Sequence, residues 1–190
     1  MTPRLALVLI DVINPFRLAG ADALFAQALP TAERIAALQT RLKGASVPSI
    51  YVNDAFREES DGSTSTAAPT LESAVAYCRR ASPRARAMLQ HVNPVANADH
   101  FIPKTKHSGF FRTELEVLLD RLEVNTVVLV GIAGDICVSF TANDAYMRGF
   151  RVCVPSDCVA SERAPDNAHA LSQMQRVLAA DIRPSYLIRA

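Results

Sequence analysis

Val127-Val128-Leu129-Val130-Gly131-Ile132-Ala133-Gly134-Asp135-Ile136-Cys137-Val138 is the stretch whose reading decides the fold. Its first four residues are branched or apolar, the composition of a strand buried on both faces of a parallel sheet. Gly131 and Gly134 bracket a tight exit. Cys137 then opens a helical run over residues 139–148. This places the thiol among backbone N–H groups at the positive end of a helix dipole, where a cysteine is most easily ionised. Cys137 is therefore the candidate nucleophile.

The same alternation repeats outward from this stretch. Leu5–Ile10 is a continuous apolar strand that closes on Asp11. A helix is expected from about Pro30 to Gly44, with Ile35, Leu38 and Leu42 at helical spacing. Further strands are expected at 47–52, 100–103, 151–155 and 182–187. Further helices are expected at 71–80, 84–90 and 165–179. Thr113-Glu114-Leu115-Glu116 reads as a capping box ahead of another helix, with Leu118, Leu119 and Leu122 on its apolar face. Residues 57–69, rich in Glu, Ser, Thr and Asp, read as a surface loop and a candidate lid. The pattern is that of a three-layer α/β domain spanning residues 1–190. Its six-stranded, mostly parallel, doubly wound sheet carries helices on both faces in a Rossmann-like arrangement.

Composition narrows the function classes. The chain has 190 residues, 49% of them hydrophobic, enough to bury a sizeable core. A net charge of +1 favours neither a nucleic-acid nor a membrane partner. No apolar run reaches membrane-spanning length, and no secretory signal is evident, so a cytoplasmic location is expected. The four cysteines are then expected as thiols, Cys78, Cys153 and Cys158 as core residues. No spacing suggests a metal site, and no cofactor is expected. A nucleotide-binding fingerprint after the first strand is ruled out, because no glycine occurs between Asp11 and Gly20.

Doubly wound sheets hold ligands at the carboxyl ends of their strands, where strand order reverses. Asp11, Asp54, Lys104 and Cys137 all lie at or just past such ends. A thiol with an ordinary pKa of ~8.5 needs a base and a cation to act near neutrality. Asp11 is the candidate base. Lys104, Lys106 and His107 compete for the supporting role, the last because a Cys–His pair is also an activated nucleophile.

Three motifs in order resemble the isochorismatase-like cysteine hydrolases. They are Leu9-Ile10-Asp11-Val12-Ile13-Asn14-Pro15-Phe16, Lys104-Thr105-Lys106-His107-Ser108-Gly109-Phe110, and Gly131 to Val138 continuing to Thr141-Ala142 and Asp144-Ala145. Asp157 and His169-Ala170-Leu171 fit the same pattern. The resemblance implies a catalytic triad of Asp11, Lys104 and Cys137, selecting Lys104 over Lys106. It implies a cis peptide at Ile132–Ala133 and an oxyanion hole from the N–H groups of Ala133 and Cys137. It also implies a homodimer or homotetramer. Candidate pocket residues are Asn14, Phe16, Phe56, His107, Phe110, Phe111 and Ile132. Departures fall at Ile13, Pro15, His107 and Gly134 and bear on substrate rather than chemistry. The Asp-x-His metal pattern of the family's nicotinamidases is missing, since Asp54-Ala55-Phe56-Arg57 has no following histidine before His91. The resemblance thus implies hydrolysis of a C–N bond in a small amide, carbamoyl or ureide compound through a thioester. The alternatives are vinyl ether hydrolysis of the isochorismate type and a non-hydrolytic thiol redox sensor. Arg57 and its loop are candidates for recognising an acidic substrate.

Overall fold

A computed structural model describes residues 3–17, 19–55, 69–95 and 97–190. Six strands form one parallel sheet: β1 (Leu5–Ile10), β2 (Ser49–Asp54), β3 (His100–Lys104), β4 (Thr126–Ile132), β5 (Arg151–Cys153) and β6 (Val159–Ala160). The order is β3-β2-β1-β4-β5, with β6 also pairing β4. The order reverses between β1 and β4, whose register runs from Leu5 opposite Thr126 to Ile10 opposite Gly131. That register leaves no room for a side chain at Gly131. A Cβ there would lie 2.0 Å from the Ile10 carbonyl oxygen, and its φ of +119° is itself a glycine conformation.

The side chains of β1 alternate between two cores, as a pleated strand requires. Leu7 and Leu9 join the core built by helices α1 (Ala21–Gly44), α2 (Leu71–Ala81) and α3 (Pro83–His91). Ala6, Val8 and Ile10 join the opposite core, built by α4 (Leu115–Arg121), α5 (Ser139–Met147) and α6 (Ala164–Leu178). This is the expected three-layer, doubly wound α/β architecture. Among the described residues, no helix is long and apolar enough to cross a membrane.

Four elements differ from the sequence reading. Helix α1 begins at Ala21, so Pro30 lies inside it on the solvent side. Leu24, Phe25, Ala28 and Leu29 extend its apolar face against the core, which offsets the hydrogen bond that proline removes. The expected capping box does not form, because Glu114 makes no side-chain cap. Thr113 Oγ1 instead accepts from Leu115 N and donates to the Gly109 carbonyl. A capping box does occur at Thr70 and Ser73, opening α2. Finally, the sixth strand is β6 rather than 182–187. Pro184 has no N–H for a ladder, and Ser185–Leu187 turns as a 3₁₀ helix. From that region only Asp181 pairs with the sheet, as a bridge to Cys153.

Candidate active site

The carboxyl ends of β1 to β4 converge on one cluster. Asp11 follows β1 with φ +50°, a left-handed conformation that aspartate tolerates and that turns the chain off the sheet. Asp54 and Lys104 end β2 and β3 and are direct partners in the register. Cys137 lies in a π-helical turn, Gly134–Val138, between β4 and α5. The Ile132–Ala133 peptide is cis.

Lys104 is the centre of this cluster. Its ammonium lies 2.9 Å from Asp11 Oδ2, 2.5 Å from Asp54 Oδ1 and 3.6 Å from Cys137 Sγ. An ammonium has three N–H donors, so all three are committed. Asp11 Oδ1 accepts from the Asp54 N–H at 3.0 Å. The chain is thus built around Lys104 rather than Lys106, which is exposed. His107 is also exposed, its ring 5.3 Å from that of Phe140, with no tie to Cys137 among the described residues.

Burial governs the protonation states. Asp11 is pushed up to about 6 by desolvation, offset by Lys104 and reinforced by Asp54. Burial would lower Lys104, but Asp11, Cys137 and Asp54 outweigh it and hold the ammonium charged. Cys137 is pushed up to about 12, first by burial and then by the Asp11 charge, with Lys104 acting against both. The sequence reading expected an easily ionised thiol at a helix start. Instead burial and the Asp11 and Asp54 charges outweigh Lys104 and favour the protonated thiol. Cys78, Cys153 and Cys158 are buried free thiols, as expected.

The sequence reading missed the bracket that holds the Cys137 turn. The Asp135 N–H donates to Ser161 Oγ, and Ser161 Oγ donates to Asn167 Oδ1. Asn167 Nδ2 donates to the Val159 carbonyl. A Cβ on Gly134 would lie 2.1 Å from Asn167 Oδ1, so the departure at Gly134 makes room for the Asn167 side chain. A second tie joins the lysine and cysteine motifs. Gly109 N donates to Thr141 Oγ1 at 2.9 Å, Thr141 Oγ1 donates to the Cys137 carbonyl, and Ser108 Oγ donates to Asp144. Ser108, Thr141 and Asp144 stood in the quoted motifs without a role.

The candidate pocket residues scatter. Phe110 is 5% exposed and packs with Phe150 under the Arg148 guanidinium, so it is core. Ile132 is likewise core. Phe16 is buried edge-on against Phe25, and the half-buried Asn14 caps its N–H. Phe111 is exposed, 43% of it in solvent. Phe56, with 57–68 of the candidate lid, falls outside the described residues. Among the described residues, one surface cavity lies by His100, Glu114 and Arg121 and another by Phe16, Arg17 and Arg84; Cys137 lines neither of these. Of a nicotinamidase-type metal pattern only Asp54 is present, and Lys104 occupies its Oδ1. Among the described residues no three His, Cys, Asp or Glu side chains gather to hold a metal.

Comparison with known proteins bears on this cluster. An isochorismatase domain model matches residues 5–182. The isochorismatase family protein YaaI of Bacillus subtilis is 35% identical over 178 residues, covering 93% of this chain and 92% of that protein. N-carbamoylsarcosine amidase from Thermoplasma acidophilum is 26% identical with a TM-score of 0.72, covering 98% of this chain and 99% of that one. An isochorismatase family protein from Desulfovibrio vulgaris is 25% identical with a TM-score of 0.76, covering 97% and 96%.

Proposed function

The chain belongs to the isochorismatase family of hydrolases, and we propose that it cleaves a C–N bond in a small amide, carbamoyl or ureide compound by covalent catalysis at Cys137. The observation that carries this reading is the buried Lys104 ammonium bound to Asp11 at 2.9 Å and to Cys137 Sγ at 3.6 Å. That is a nucleophile and its base, both held against one fixed positive charge.

The proton moves from Cys137 Sγ to Asp11 as Sγ attacks the carbonyl carbon. Asp11, held near 6, suits a group that must accept and return a proton near neutrality. Lys104 balances the developing thiolate. The N–H groups of Ala133 and Cys137 receive the oxyanion, each such donor being worth ~10²–10³ in rate. The protonated Asp11 then gives its proton to the leaving nitrogen, the C–N bond breaks, and a thioester remains. Asp11 next takes a proton from water, the water oxygen adds to the thioester carbon, the C–S bond breaks, and Asp11 returns the proton to Sγ, which restores the thiol and the carboxylate.

The test is a panel of small amides and ureides read by release of ammonia or amine. Cys137→Ala, Asp11→Asn and Lys104→Ala are each expected to lose turnover with an unchanged circular dichroism spectrum. Activity surviving Cys137→Ala would point to vinyl ether hydrolysis, which needs no thiol. An inactive His107→Ala beside an active Lys104→Ala would replace the triad by a Cys–His pair.

A further inference from the structure

Asp54 is the member of the cluster that the triad does not use. Lys104 is 1% exposed and Asp11 5%, and the three donors of Lys104 are committed. Neither can offer a substrate a contact of its own without giving one up. Asp54 differs on both counts. Its side chain is 54% exposed, and among the described residues only Oδ1 has a partner, so Oδ2 is an open acceptor. The charges also do not balance. Two carboxylates share one ammonium, which leaves the cluster at a net −1 while the thiol is neutral. Transfer of the Cys137 proton to Asp11 keeps that total, so the thiolate forms beside the Asp54 charge in a cluster still at −1.

Resting on the hydrolase reading above, we propose that Asp54 docks the substrate, and that the substrate carries a cationic nitrogen beside the carbonyl that Cys137 attacks. A charge-assisted hydrogen bond from that nitrogen to Oδ2 fixes the substrate at the mouth of the cluster. It also cancels the excess negative charge that opposes thiolate formation, so binding of the correct substrate eases the attack of Cys137. The sequence reading looked to Arg57 for an acidic substrate; Asp54 reverses the expected sign.

The test uses thiol labelling, which needs no substrate. Aminoethyl methanethiosulfonate is cationic and sulfonatoethyl methanethiosulfonate anionic. Each forms a mixed disulfide with a thiolate and releases methanesulfinate. Rates at Cys137 are followed by mass spectrometry at low ionic strength, each normalised to free cysteine. The other three cysteines are buried. Within one variant the thiolate fraction cancels from the ratio of the two rates, so the ratio reports charge at the mouth alone.

The wild-type ratio is expected to favour the cation at least tenfold. Asp54→Asn is expected to reduce that preference about fivefold or more, and Asp54→Glu to keep it. A wild-type ratio near one, or one that Asp54→Asn leaves unchanged, overturns the proposal. Amide hydrolysis without charge selectivity sinks Asp54 as the docking group and leaves the hydrolase reading standing. Selectivity without hydrolysis across the panel does the reverse.

Discussion

Replacing Asp11 by asparagine is expected to stabilise the protein while abolishing turnover, and only above a particular pH. Asp11 is buried, and its pKa rises from 3.8 to about 6 in the folded chain. That net value already contains the favourable pull of Lys104. An acid raised in this way contributes its full stability below about pH 4, where both states hold the proton. The contribution is lost as pH climbs through 6, because the native state must then carry a buried charge that the unfolded chain carries in water. About two pH units at ~1.4 kcal/mol each give a cost of up to ~3 kcal/mol at pH 8. Asparagine copies the protonated side chain and cannot ionise. Urea unfolding of Asp11→Asn is therefore expected to match the wild type at pH ~3, below both values. At pH 8 it is expected to exceed the wild type by up to ~3 kcal/mol, roughly 6–12 °C in Tm for a chain of this size. The variant should remain inactive throughout. Equal or lower stability of Asp11→Asn at pH 8 would refute the claim that Asp11 is a destabilised ionised base.

The Cys137 thiol, held near 12, should react with neutral iodoacetamide slowly at pH 7 and steadily faster up to pH 10; a plateau with a midpoint near 7 would contradict the charge balance described. Gly131→Ala, whose Cβ would lie 2.0 Å from the Ile10 carbonyl, should cost roughly 4 kcal/mol or more in denaturant unfolding. Ser161→Ala removes the acceptor of the Asp135 N–H and should cost about 1–3 kcal/mol. Because that bond orients the Cys137 turn, kcat should fall with KM nearly unchanged, a split that general destabilisation would not produce.

Much of this was legible in the sequence, for reasons visible in particular residues. Residues 5–10 and 127–130 are unbroken apolar runs, and only a strand buried on both faces uses such a run. Asp11 and Cys137 stand out because each follows such a strand, whereas Lys104 is separated from Lys106 and His107 only by the resemblance to the family's lysine motif. Asp54 carried the same signal and was placed on the rim, but a half-exposed carboxylate has an ordinary solvated reading that sequence does not exclude. The start of α1 was hidden because Pro30 is a common first-turn residue. β6 was hidden because two residues give no periodicity. Ser161 and Asn167 lie more than twenty residues past Cys137, and nothing local marks a serine or asparagine as the partner of a distant turn. The protonation of Cys137 was misread because the dipole of its helix follows from local sequence, whereas its burial and its two carboxylate neighbours exist only after folding.

Covalent attack by Cys137 is the central claim, and acid-quenched turnover read by intact-protein and peptide mass tests it most directly. With any amide or ureide that the chain hydrolyses, the wild type should show the acyl fragment added on the peptide containing Cys137, and Cys137→Ala should show neither adduct nor turnover. Hydrolysis that proceeds in Cys137→Ala, or an acyl adduct on any other residue, would contradict it.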